Sequence, residues 1–475
     1  MTTTSTENER VIILGAAGRD FHDFQTYWST KPNTTVVCFT GTQIPGIEGR
    51  LFPPEMCHND KNDNLYPEGL TIYPEEQLEE LIDRFHATTC AMAYSDVNYN
   101  TLQSLAARAN AAGCKFVQLS PKITMLPSTK PVIAVCASRT GTGKSQCSRF
   151  ICEHITKNLG KKVAVVRHPM PYDKDLLRQR CQRYEKVEDM DKYDCTIEER
   201  EEYQLHIEAA NLLFAGVDYE LILREAEKDA DVVIWDGGNN DASFFRPDLL
   251  ITVVDALRPT HEEQFYPGEV NVRMADVILI NKVNALDNPA KAVEQVRHLT
   301  DTVVQAKTPI LLGNSVVTPE ARDETTGELL SEEEAASMIR GKRVLVIDDG
   351  PTLTHGGMAF GAGYSLAKKL EAATIVDPRP YAVGDLVKTF EKFPHLKEVL
   401  PAMGYGGAMV KDLEATIEKV ECDTVVVGSP IDLRLVLKLN KPMVQARYNL
   451  EMVPGFHSQI EEAIESVFER NARDD

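Results

Sequence analysis

Short runs of β-branched and aliphatic residues alternate along the chain with longer stretches whose apolar positions recur every three or four residues. Such alternation predicts an α/β fold, with three-layer parallel sheets built from βαβ units. A first set of expected strands is Val11–Leu14, Val36–Phe39, Cys90–Tyr94 and Phe116–Leu119. A second comprises Val132–Cys136, Val163–Val166, Val232–Trp235, Leu250–Val254, Val277–Ile280 and Ile310–Leu312. Val344–Ile347, Thr374–Val376, Thr424–Val427 and Met443–Ala446 form a third. Three sheets, or one extended sheet with lobes, are expected. Pro121, Pro127 and Pro131, with Ser128 and Thr129, punctuate the first boundary, and the acidic stretch from Arg322 to Gly341 marks the second. The expected domains are therefore a Rossmann-like unit at 1–128, a central unit at 129–340 and an α/β unit at 341–475. Between Tyr172 and Tyr203 the chain is acidic and without strand periodicity, which predicts a helical or mobile insertion.

Charge narrows the choice of partners. The 475 residues carry 51 Lys and Arg against 72 Asp and Glu, a net charge of −21. Polyanions bind through clustered cations and counterion release, so nucleic acid and anionic membranes are not expected partners. An anionic ligand must instead meet a local basic pocket. No apolar run reaches the roughly 18 residues of a membrane span, and the polar start MTTTSTENER lacks the character of a secretory signal, so a cytoplasmic location is expected. The ten cysteines include no C-x-x-C pair, and neither a zinc site nor a disulfide framework is signalled.

The central unit carries the sharpest chemistry. The strand ending at Cys136 runs into Ser138-Arg139-Thr140-Gly141-Thr142-Gly143-Lys144-Ser145, and an amphipathic stretch follows. A glycine-rich loop between strand and helix turns backbone N–H groups inward around phosphates, assisted by the positive end of the helix dipole. Thr140 to Ser145 would form this cradle, with Lys144 reaching the β- and γ-phosphates and Ser145 ligating Mg²⁺. Asp236, after the strand ending at Trp235, is the expected second metal ligand. Arg139 and Arg167 are candidates for stabilising transferred charge, and Asn281-Lys282 resembles the base-reading element of GTPases. The guanine-reading Asp of that element is Asn284 here, so either ATP or GTP fits the reading.

The flanking units offer weaker signals. Gly15-Ala16-Ala17-Gly18-Arg19 is a glycine turn after a strand, where Arg19 and backbone N–H groups could hold an anion. His168, His355 and Arg379 are further candidates for binding a small anionic substrate.

The ordered strings Gly15 to Phe21, Gln43 to Arg50, Arg139 to Ser145, Arg167 to Tyr172, Trp235 to Asp241 and Asp349 to Gly357 resemble the P-loop GTPase family labelled cyclic 2,3-diphosphoglycerate synthetase-like. The resemblance covers nearly the whole chain. It implies an Mg²⁺-dependent enzyme that couples NTP cleavage to phosphoryl transfer or cyclisation on a small phosphorylated acid; a homo-oligomer is a separate expectation. The alternative is a regulatory GTPase or ATPase switch acting on a protein partner.

Overall fold

Every strand expected from the apolar runs is formed in the computed structural model. The structure describes residues 8–474 apart from 43–45, 58–64, 169–174, 287, 289, 291–293, 295–307, 324, 355–357, 403–406, 430–432, 436 and 438. The architecture is α/β, as the pattern predicts, but the sheets are divided differently.

One sheet of six strands comes from the first part of the chain. Its order is Leu51–Phe52, Leu70–Pro74, Thr34–Gly41, Glu9–Leu14, Thr89–Met92 and Lys115–Gln118. All its pairings are parallel except that of the first two strands.

The second and third sets join in a single 13-stranded sheet. The junction is the long strand Ile310–Glu320. Its start pairs parallel with Val277–Asn281, and from Gly313 onward it pairs antiparallel with Met443–Met452. Only the start of that strand, Ile310–Leu312, reads as a continuous apolar run. The Gly313–Glu320 extension is half-exposed and carries Asn, Ser, Thr and Pro, so hydrophobicity did not reveal it.

The acidic Tyr172–Tyr203 segment also departs from expectation. Its described residues include a strand, Gln182–Tyr184, that pairs antiparallel with Leu212–Ala215 at the sheet edge. Gln182 and Tyr184 are buried and Arg183 half-buried, an alternation too short to stand out in the sequence. Helix Ile197–Glu208 follows, started by a reciprocal capping box between Thr196 and Glu199.

Helices cover both faces of the central sheet. On one face Cys147 and Ile151 of helix Lys144–Glu153 share a core with Ile133 and Val135, and with Ile460, Ile464 and Val467 of helix His457–Asp474. The last helix of the chain thus packs against the phosphate-loop strand. On the other face Tyr219, Ile222 and Leu223 pack against Ala134, Trp235 and Phe244.

Strand Val132–Ala137 lies between Val232–Asp236 and Leu249–Asp255, and chain connections depart to opposite sides of it. A crevice at the carboxyl end of such a switch point is where open α/β sheets hold ligands. The first unit docks beside this crevice. Its strand Val97–Asn98 pairs with Phe265–Tyr266 of the central unit, and the Leu126 amide donates to the Phe244 carbonyl at 2.8 Å.

Candidate active site

Backbone geometry explains the loop sequence. Gly141 and Gly143 have φ of +79° and +102°, a region that side chains disfavour. A Cβ on Gly143 would also stand 2.0 Å from Nδ2 of Asn281, so no larger residue fits there without displacement.

Side chains from neighbouring strand ends hold the loop by its carbonyl oxygens. Asn281 Nδ2 donates to Thr142 O at 3.0 Å, Lys282 Nζ to Gly141 O at 2.6 Å, and Arg258 Nη2 to Thr140 O at 2.7 Å. Asp255 in turn accepts from both Lys282 and Arg258 at 2.8 Å. Burial alone would raise the Asp255 pKa, but these two cations hold it below the usual carboxylate value. Further back, Asn271 and Asn240 donate to the carbonyls of Ala137 and Ser138. A peptide tied outward by its oxygen presents its N–H to the opposite side, as a phosphate cradle requires.

Asn281 and Lys282 therefore grip the loop itself. Asn284 is engaged as well, through a two-way pairing with the Ser315 backbone at 3.0 and 2.9 Å. Its amide is occupied by the protein rather than presented to a purine.

Four charged groups converge where the loop meets the helix. Lys144 Nζ lies 2.9 Å from Asp236 Oδ1, and Arg167 Nη1 lies 2.6 Å from Asp236 Oδ2. Arg167 also meets Glu202 at 2.5 Å and Ser145 Oγ at 3.4 Å. His206 Nε2 completes the ring 3.4 Å from Asp236 Oδ2. Asp236 is fully buried; burial would push its pKa up, yet Arg167 and Lys144 hold it well below the ordinary range. Burial lowers the pKa of His206, which favours neutral imidazole despite the adjacent carboxylate.

The donor set suits a divalent cation. Ser145 Oγ and the ionised Asp236 carboxylate are hard oxygen ligands, and Mg²⁺ typically takes one or two such protein groups together with water and phosphate oxygens. In the described arrangement Lys144 and Arg167 neutralise Asp236.

Other expected residues lie elsewhere. Arg139 does not reach toward the loop interior: its Nε binds Asp96 Oδ1 at 2.8 Å, its Nη1 meets His261 Nδ1 at 3.0 Å, and its guanidinium stacks 3.5 Å from the Phe265 ring. Thr140 Oγ1 donates to the other oxygen of Asp96 at 2.7 Å. Together they clamp the loop shoulder to the first unit. His168 stands beside this joint, 3.8 Å from Asp241 and against Gly18, where an added Cβ would meet its Nε2 at 1.8 Å.

Arg19 is engaged too, donating to Ala242 O at 2.5 Å and covering the Phe244 ring. The amides of its glycine turn are taken by the chain's own carboxylate. Ala17, Gly18 and Phe21 donate to Asp20 Oδ1 at 2.8, 3.0 and 2.8 Å. This corrects the expectation of an anion site there. Asp348 in the third unit takes the amides at the start of helix Ala362–Lys369, accepting from Gly361 and Gly363 at 2.8 and 2.6 Å. Burial raises the pKa of Asp20 to about 7 and of Asp348 to about 6. Arg379 is an exposed partner of Asp377, two residues away at 2.6 Å, and is not brought to the loop. His355, and the Pro169–Asp173 stretch after His168, lie outside the described residues.

The sequence reading placed Asp96 only loosely, at a strand end that could line the crevice, and missed Glu202, His206, Asp255 and Arg258. Asp255 was recoverable, because it ends a strand adjacent to the loop strand just as Asp236 does. Glu202 and His206 were not, since their helix lies in a segment without a recognised motif.

The chain is similar to several known proteins. The CobW/HypB/UreG nucleotide-binding domain model matches residues 132–310. The arginine synthetase ArcE of Thermococcus kodakarensis is 49% identical over 451 residues, spanning 94% of each chain. Among solved structures, LpxK from Aquifex aeolicus in complex with ATP aligns with a TM-score of 0.41 at 10% identity, covering 82% of this chain and 99% of that one. The hydrogenase maturation factor HypB from Archaeoglobus fulgidus aligns at 0.22 and 12% identity, over 38% of this chain and 79% of that one. Among the described residues no helix is long and apolar enough to cross a membrane.

Proposed function

The chain belongs to the family of the Thermococcus kodakarensis arginine synthetase, and we propose that it is an NTP-dependent synthetase whose product is a guanidino amino acid. The observation that carries this reading is the convergence of Lys144, Ser145, Arg167 and Asp236 at one strand end, in a chain 49% identical to an arginine synthetase.

A guanidinium carbon is reached from a urea-type carbonyl only after the oxygen becomes a leaving group. The carbonyl oxygen attacks the γ-phosphorus, and the bond from that phosphorus to the bridging oxygen breaks to release nucleoside diphosphate. A neutral amine then forms a bond to carbon, loses a proton, and inorganic phosphate departs with the original oxygen. Lys144 and the inward N–H groups bind the phosphate chain, and Arg167 meets the charge on the transferring group. Ser145 and Asp236 would hold Mg²⁺, which when bound neutralises phosphate charge. His206, neutral and hydrogen-bonded to Asp236, orients that carboxylate.

A direct assay separates this from the cyclic 2,3-diphosphoglycerate reading. The protein, Mg²⁺, ammonium and a ureido amino acid are incubated with ATP or GTP, and arginine and phosphate are measured. In parallel, 2,3-diphosphoglycerate is supplied and its cyclic anhydride sought by phosphorus NMR. Arginine in step with phosphate supports the synthetase; the cyclic anhydride alone overturns it. Because Asn284 is held by Ser315, ATP is expected to be used at least as well as GTP.

A further inference from the structure

A cleft of about 240 Å³ opens beside the phosphate-loop helix, lined among others by Arg149, Leu205, Glu208, Glu320, Arg447 and Tyr448. It is not part of the loop site, but two elements connect them. Arg149 lies four residues after Ser145 on helix Lys144–Glu153, so the two share a face about one turn, or 6 Å, apart. Helix Ile197–Glu208 serves both places, turning Glu202 and His206 to the Asp236 cluster and Leu205 and Glu208 to the cleft.

The cleft is lined by charges of both signs. Arg149 donates to the Tyr448 carbonyl at 2.9 Å, a neutral acceptor, whereas Arg447 is paired with Glu320 at 3.0 Å. Burial pushes the half-buried Arg149 side chain toward lower pKa; Tyr448 and Asp236 act against this and Arg447 and Arg167 add to it, so a carboxylate in the cleft would offset the cost that remains. Glu208, opposite in charge and exposed, is held only by Gln204 at 2.7 Å in the described contacts.

We infer that this cleft binds the α-amino-acid end of the substrate, its carboxylate on Arg149 and its ammonium on Glu208. The reacting end then extends toward Ser145, about one helical turn away along helix Lys144–Glu153. The inference rests on the synthetase reading and adds where the amino acid sits.

The test is calorimetric titration of the full chain, with Mg²⁺ and a non-hydrolysable ATP analogue present, using L-arginine, agmatine and Nα-acetyl-arginine. Agmatine lacks the carboxylate and the acetyl compound lacks the ammonium, so each is expected to bind at least tenfold more weakly than arginine. Arg149→Met should remove the preference over agmatine, and Glu208→Gln, a change at an exposed position, should remove the preference over the acetyl compound. Affinity for the nucleotide analogue should stay within twofold in both. Arginine preference retained in both variants, or absent from a wild type that turns arginine over, overturns the cleft and leaves the synthetase standing. A wild type that neither binds nor forms arginine overturns both.

Discussion

Asp236 shows at residue scale how a buried ion is kept. Two cations and an imidazole face it, so removing its charge leaves Lys144 and Arg167 buried without their partner. Asp236→Asn is expected to destabilise the fold by about 3 kcal/mol or more, measurable by urea titration. Lys144→Ala has the opposite profile: the protein stays folded while nucleotide turnover drops about 100-fold or more, read by phosphate release. Asp20 gives a pH signature. Its pKa is near 7 when folded against an ordinary 3.8, so the folded chain keeps a proton that the unfolded chain releases. The stability this provides is complete below about pH 4 and is lost as the pH rises through 7. Asn keeps the acceptor oxygen for Ala17, Gly18 and Phe21 and carries no charge. Asp20→Asn should therefore gain on wild type across that window and reach a plateau of a few kcal/mol above pH 7, by parallel denaturant titrations at several pH values. A gain that is flat with pH would contradict this account.

At the scale of elements, strand plus glycine loop plus helix was legible because each part has a local cause. The apolar run buries the strand, the glycines permit positive φ, and the helix begins directly at Lys144. What surrounds the loop was not legible. Asn281 and Lys282 read as base contacts by spacing, but their function in the fold is to hold Thr142 and Gly141, a long-range pairing that local pattern does not encode. Arg139 was misplaced for the same reason: its position in the loop limits where its backbone goes, while Asp96 and Phe265, distant in sequence, decide where its guanidinium goes. Gly143→Ala tests the loop geometry. With Asn281 2.0 Å from the added methyl, nucleotide affinity should fall at least tenfold in a fluorescent-nucleotide titration, with little change in overall secondary structure by circular dichroism.

Across the whole molecule, the sequence announced the α/β class and missed the sheet that joins two of its thirds, because the joining residues, Gly313 to Glu320, are polar enough to read as a linker. The last helix belongs to this scale. Ile460, Ile464 and Val467 sit in the core beneath the phosphate-loop strand, and burying each contributes roughly 1.5–3 kcal/mol, a sum comparable to a typical domain's entire stability of about 5–15 kcal/mol. A chain ending before His457 is therefore expected to lose nucleotide binding and cooperative unfolding together. The charge of −21 also gains a location. Lys144, Arg149, Arg167, Arg258 and Lys282 gather around the loop and its helix, so the acidic excess is carried elsewhere and does not oppose an anionic small ligand.

The carboxylates of Asp20 and Asp348 have one last consequence, for counting. The amides of the glycine turn after strand Glu9–Leu14 and those at the start of helix Ala362–Lys369 are each taken by a carboxyl group of the chain itself. Neither leaves those amides to a phosphate, so with the Gly141–Ser145 loop as the site a labelled triphosphate should saturate at one equivalent per chain. A competitor built on phosphate mimicry would meet the loop and neither of these two sets of amides.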